Sequence, residues 1–223
     1  MDNIFLQMMK LWSFLTFLLL SSTTVLLSQN SDGYYLNAVN LVNAGELDQA
    51  FGEVNKALKM NPEHPQSLIL RAYLLLSAGD KDAAIADYSA ALKVAPSDLG
   101  ALTNRAMLYM EKEDYESALR DLKQRYKYDP YNWMVHYDLA YCYGLMAKYD
   151  LAITGFTEAI KRNPDYADAY LNRGYALYNK HSNDGLHTPA SELLLELCED
   201  FYKADSLGLA EAKKAIAKFC SDD

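Results

Sequence analysis

The sequence predicts an all-α solenoid of five stacked helix-turn-helix units followed by a capping helix. Three observations predict it. Pro62, Pro96, Pro130 and Pro164 succeed one another at intervals of 34 residues, each closing an apolar-periodic run. With the proline counted as position 32, small residues fall into columns: Ala38, Ala72, Ala106, Ala140 and Gly174 at position 8; Ala50, Ala84, Ala118 and Ala152 at position 20; Ala57, Ala91, Ala159 and Ala204 at position 27, where Arg125 intrudes. Bulky residues alternate with them, Leu41, Leu75, Tyr109, Tyr143 and Leu177 at position 11 and Val54, Tyr88, Leu122, Phe156 and Phe201 at position 24. Positions 4, 8 and 11 share one stripe of a first helix, and 20, 24 and 27 share one stripe of a second. Alanine or glycine lets the two helices approach, and the bulky column fills the space beside them. No pair buries its stripe alone, so the pairs must stack.

Ahead of the repeats, residues 1–28 have the order of a secretory signal. Lys10 precedes the apolar stretch LWSFLTFLLL, interrupted only by Ser13 and Thr16, and the small and polar SSTT follows. Two readings fit. In one, cleavage after Ser28 removes the segment, with Leu26 larger than the usual residue three places before the cut. In the other, Leu11 to Leu27 stays as an anchor near the short limit for a bilayer span. Both keep Lys10 inside and export everything after Gln29. No cysteine follows closely enough for a lipoprotein anchor.

The units then run 31–64, with a bend at Gly45, and 65–98, with a bend at Gly79, followed by 99–132 and 133–166. The fifth, 167–207, departs from the pattern. ADAYLNRGYALYNK reads as its first helix, but Gly174 and Leu197 lie 23 residues apart where 12 is the rule. The eleven extra residues, at about 179–191, hold Gly185 and Pro189 and read as a loop rather than a longer helix. Leu197 in the alanine column predicts looser helix contact there. His181, Asp184 and His187 in the same segment lack the fixed spacing of a metal site and read as solvent-exposed, so no metal is assigned. Within 208–223, Leu209, Ala212, Ile216 and Phe219 recur at helical spacing with lysines opposite, as a helix covering the open end of a stack would.

These columns resemble the tetratricopeptide repeat. The segments NAGELDQAFGEVNKALKMNP, SAGDKDAAIADYSAALKVAP, EKEDYESALRDLKQRYKYDP and MAKYDLAITGFTEAIKRNP carry the likeness, which extends from Ser31 to about residue 207. It implies a right-handed superhelix whose concave side, lined by positions 2, 5, 6, 9, 12 and 13 of the first helices, receives an extended peptide or a partner's helix. Positions 5, 9 and 12 are Tyr35, Val39, Val42; Ile69, Tyr73, Leu76; Thr103, Met107, Met110; Tyr137, Tyr141, Gly144; and Leu171, Tyr175, Tyr178. Thirteen of these fifteen are hydrophobic and none is charged, which a solvated face would not show. Two readings stay open: neighbouring first helices bury these residues against one another, or they leave an apolar groove of the kind that binds partners. Tyr and Met suit the groove, the first bringing area with a polar tip and the second adaptability. Asn104 and Asn172, at position 6, are placed to bond the backbone of an extended ligand. Arg71, Arg105 and Arg173 recur at position 7 and fit equally a structural hydrogen bond between repeats. Positions 2, 5, 6 and 9 hold no Lys or Arg, unlike the family members that clamp the C-terminal carboxylate of a chaperone.

The formal net charge of −9 argues against a nucleic-acid or anionic-membrane partner, so membrane contact is expected only through an uncleaved N-terminal segment. Cys142, at position 10 of a first helix, reads as a core thiol. Cys198 lies ten residues before Gly208 and Cys220 twelve after it. These are rises of about 15 and 18 Å along two antiparallel helices. The two sulfurs are thus at similar height, and a bridge and two separate thiols both stay open. His64, His136, His181 and His187 occupy unrelated repeat positions, and no nucleophile motif or phosphate-binding glycine loop is present. The expectation is a non-enzymatic protein-interaction scaffold without catalytic residues or cofactor, monomeric alone, binding a protein or peptide in the Tyr/Met groove. The alternative is a membrane-anchored assembly factor for an envelope complex. The ending CEDFYKADSLGLAEAKKAIAKFC is similar to repeat proteins of bacterial origin, which with export implies the periplasm or cell envelope ahead of free secretion.

Overall fold

The structure is a computed structural model and describes residues 30–183 and 191–220. The signal or anchor segment, and Asp184, Gly185, His187 and Pro189 of the inserted stretch, lie outside the described residues. Every regular element among the described residues is a helix. The chain divides into two compact units, the first ending at Ala101 and the second beginning at Leu102.

The first unit holds α1 (30–43), α2 (Leu47–Met60), α3 (Pro65–Ser77) and α4 (Lys81–Val94). Proline sets the helix ends through the residue before it, because the Pro ring excludes that residue from the helical region. Asn61 leaves the helix at φ −133°, ψ 94° and Ala95 at φ −123°, ψ 73°. Asp129 and Asn163 do the same in the second unit, at φ −140° and −137°. Within each pair the chain reverses through a left-handed residue, Gly45 at φ 79° and Gly79 at φ 87°. Ala38, Ala50, Val54, Ala57, Ala72, Ala84, Tyr88 and Ala91 are fully buried, so the columns are the core.

The second unit contains α5 (Leu99–Glu111), near whose start the boundary falls, then α6 (Tyr115–Tyr128), α7 (Trp133–Leu145), α8 (Tyr149–Arg162), α9 (Ala167–Asn183), α10 (Ser191–Ser206) and α11 (Glu211–Phe219). Here the reversal position holds side chains, Glu113 at φ 60° and Ala147 at φ 55°. Two expectations for the fifth repeat are corrected. Residues 179–183, read as loop, continue α9, since no Gly or Pro interrupts them and Lys180 pairs with Asp150 at 2.5 Å. Leu197 is fully buried in a cluster with Leu171, Leu177 and Phe201, so the contact there is not loose. At Gly174 a Cβ would stand 2.5 Å from the Phe201 ring. Cys198 and Cys220 form a disulfide with Cα atoms 5.8 Å apart, which ties α10 to the end of α11. Cys142 is a buried thiol, pushed up to about 11 by burial.

Candidate peptide-binding face

The first helices of three repeats are held in place by part-buried ion pairs that recur with the repeat. Arg71 donates from Nε and Nη2 to Asp87 at 2.6 and 2.8 Å, and from Nη1 to Asn55 of the preceding pair at 3.0 Å. Arg105 makes the same two bonds to Asp121 at 2.8 and 2.7 Å. Arg173 makes them to Asp200 at 2.8 and 2.7 Å and adds Thr157 of the preceding pair at 3.1 Å. The recurrent arginines are thus struts within their repeats, and Arg71 and Arg173 also brace the preceding one. The fourth repeat has Leu139 and Gly155 at the corresponding positions and cannot build the strut. Arg125, the intruder in the alanine column, supplies another: it is 5% exposed and its Nη1 donates to Asp138 of α7. Burial lifts the Asp138 carboxyl above its ordinary range, with Arg125 opposing.

Two of the histidines do similar structural duty. His64 caps α3, its Nδ1 accepting from the Ser67 amide at 3.2 Å while Nε2 donates to Asp32 at 2.8 Å. His136 bonds the Pro130 carbonyl at 2.9 Å. No group of three or more His, Cys, Asp or Glu suited to a metal ion occurs among the described residues.

In the first unit Tyr73 is exposed, while Tyr35, Ile69 and Leu76 are half-buried, Tyr35 with its ring 5.6 Å from that of His64. In the second unit Met107, Met110, Tyr137 and Tyr141 come together in one cleft of about 480 Å³, completed by Leu145 and Tyr166 and by Glu111 and Asp138. A smaller cleft of about 170 Å³ shares Tyr141 and Leu145 and adds Asn172 and Tyr175. Together they make a groove along α5, α7 and α9 with three large apolar side chains open to solvent: Met107 at 48%, Leu145 at 41% and Tyr141 at 40%. Tyr137 forms its floor, stacked on Tyr141 at 6.2 Å and meeting Tyr166 edge-on at 4.9 Å. Burial is the main cause that raises the Tyr137 hydroxyl above the usual phenol range, and Tyr166 and Asp168 add to it.

The remaining candidates are placed differently. Asn172 spends its amide within the protein, donating to the Tyr137 hydroxyl at 3.1 Å and to the Asp168 carbonyl at 2.8 Å. Tyr178 packs on Phe219 of α11 at 4.5 Å, and Tyr175 sits 5.3 Å from Phe201. Both are half-buried against the last helices, and Tyr175 also reaches the small cleft. Asn104 is half-buried on α5. Leu145 and Tyr166 escape a reading of positions 5, 9 and 12; Leu145 occupies position 13, one of the family's inner-face positions.

Residues 35–98 and 99–132 match families described as tetratricopeptide repeat, and residues 148–180 match one described as TPR repeat; together these span more than half of the chain. The chain is a tetratricopeptide repeat protein. No curated protein matches this TPR protein in sequence. Solved structures share its fold at low identity. MamA residues 41 to the end from Desulfovibrio magneticus RS-1 superposes with a TM-score of 0.68 at 17% identity, covering 80% of this chain and 94% of that one. Another MamA structure gives 0.65 at 20% identity, covering 82% and 97%. YrrB, described as a TPR protein with an unusual peptide-binding site, gives 0.68 at 17% identity, covering 83% and 90%.

Proposed function

We propose that this TPR protein is a non-enzymatic interaction scaffold that receives an extended segment of a partner protein in the groove of its second unit. The observation that carries the reading is the joint exposure of Met107, Tyr141 and Leu145 at one cleft. Leaving a large apolar side chain in water forgoes about 1.5–3 kcal/mol of burial. Apolar groups exposed together, on helices locked by part-buried ion pairs, form a pre-built docking surface. That YrrB, of the same fold, is described by its peptide-binding site supports the reading by analogy.

Panning a random peptide library on the full chain, held in nonionic detergent, tests this. Replacing both Met107 and Tyr141 by Asp should abolish the binding of most selected peptides while the helical circular dichroism is unchanged. Peptides that bind this variant as well as the native chain would remove the groove from the account.

Residues 1–28 support export, and with the likeness of the C-terminal stretch to bacterial repeat proteins we propose a bacterial cell-envelope location. Mass measurement of the native N terminus separates the two forms of that assignment. Loss of the segment gives a periplasmic scaffold, and an intact Met1 gives the anchored assembly factor to which the apolar stretch Leu11 to Leu27 also points.

A further inference from the structure

Gly144 stands at position 12 of its repeat, on α7, where the other repeats carry Val42, Leu76, Met110 and Tyr178. Nothing in the fold requires a glycine there. Its backbone is helical rather than left-handed, and a Cβ would meet only that of Ala152, at an ordinary 3.9 Å. Glycine weakens a helix relative to alanine or methionine. What the missing side chain leaves is room: Gly144 lines the smaller cleft of about 170 Å³, with the buried Phe156 at its floor. Tyr141, Tyr149 and Tyr175 line it with Phe156. Two of these rings are braced from behind, so they hold the space open. Tyr141 stacks on Tyr137 at 6.2 Å, and Tyr175 packs on Phe201 at 5.3 Å and Phe219 at 6.3 Å. None of the described residues lining the cleft is charged. Asp150 and Lys180, which follow Tyr149 and Asn179 in the chain, pair with one another at 2.5 Å.

We infer that this cleft is a socket for one aromatic side chain of the partner segment, a phenylalanine or tyrosine seated among Tyr141, Tyr149, Phe156 and Tyr175 in the space that Gly144 leaves. The inference rests on the groove reading above and names its partner's chemistry. Size is the first ground: a cavity of about 150 Å³ holds one benzene ring. Charge is the second: an ammonium or carboxylate seated here would give up its water with no answering charge, so the occupant is uncharged. Geometry is the third. Aromatic pairs gain from edge-to-face and offset contacts beyond the area they bury, which sets a ring ahead of an aliphatic chain among four ring walls.

The library selection tests this in a second reading of the same clones. Among peptides whose binding depends on Met107 and Tyr141, phenylalanine or tyrosine should be enriched at one position, and charged residues excluded from it. In synthetic copies, replacing that residue by leucine should weaken binding by roughly 2- to 10-fold in fluorescence anisotropy. Gly144→Met installs the side chain that the third repeat carries at this position, fills the socket and should weaken the native peptide by roughly tenfold or more. Its melting temperature should be no lower, because a better helix former replaces glycine, so the lost binding is not lost folding. A peptide with alanine at the anchor leaves the socket empty and should bind the native chain and Gly144→Met nearly alike, which isolates the seat. Groove-dependent clones without an aromatic position, a leucine peptide that binds equally well, or undiminished binding to Gly144→Met would overturn the socket and leave the groove standing. No groove-dependent clones would overturn both. A chain that dimerises in sedimentation, with Gly144→Met abolishing the dimer, would give the socket to a second copy and likewise overturn the proposal.

Discussion

Gly174→Ala tests whether α9 and α10 meet at backbone distance in the fifth repeat, where every preceding first helix has alanine. A Cβ at Gly174 would stand 2.5 Å from Cε1 of Phe201 and 3.0 Å from Cδ1 and Cζ. Phe201 is fully buried, with Tyr175 at 5.3 Å and Phe219 at 5.8 Å, and Phe219 adjoins the bridged Cys220. The ring has no solvent side to swing toward, so the clash falls in the upper part of the ~1–3 kcal/mol that overpacking costs. Alanine offsets about 1 kcal/mol through its better helix propensity. The net expectation is a loss of about 1–2 kcal/mol, read by urea unfolding and by faster amide exchange in α9 and α10. A Phe201→Leu background removes the ring and leaves only the propensity gain, so there the same substitution should stabilise by up to about 1 kcal/mol. If Gly174→Ala stabilises the chain with Phe201 in place, the close approach is wrong.

Ala147→Gly should stabilise the second unit by about 0.5–1 kcal/mol in thermal melts. It relieves a left-handed alanine worth about 1–2 kcal/mol, less the entropy glycine adds to the unfolded chain. Ala152→Gly, in a buried helix, should do the opposite. Reducing the Cys198–Cys220 bridge, which closes a separation of 22 residues, should cost about 3 kcal/mol by the loop-entropy relation and speed exchange in α11. Unchanged protection would reject that reasoning. Asp114 caps α6 and is held below the ordinary carboxylate range by the Ser117 hydroxyl first and the Ser117 amide next. Its contribution is therefore present above the unfolded-state value and is lost as pH falls through the depressed one. A titration by NMR should show that depression, and Ser117→Ala should reduce it.

The register was legible because it rests on steric rules that leave marks in single residues. A proline ends each second helix through its predecessor, and a small side chain marks each close approach; Ala38, Ala72, Ala106 and Ala140 are all fully buried. Arg125 shows the limit. Its column predicts a small residue, and only three-dimensional contact reveals that Asp138 of the next helix supplies its partner where Leu139 and Gly155 cannot build the usual strut. The inner face was legible as a face, since helical periodicity dictates direction. What covers it was not: Tyr178 is packed by Phe219, which follows a segment of irregular length. Leu145 entered the cleft because α7 exposes position 13 beside Tyr141. The left-handed Glu113 and Ala147 carry no residue signature, glycine being the usual sign of that conformation.

The central claim is that partners enter by the groove of the second unit. A photo-crosslinking phenylalanine derivative placed in turn at Met107 and Tyr141, and at the exposed control sites Tyr128 and Tyr202 on second helices, tests it most directly in living cells. Discrete adducts from the two groove positions and none from the controls are the predicted result. Adducts of equal yield from Tyr128 and Tyr202, or none from the groove, would contradict the account.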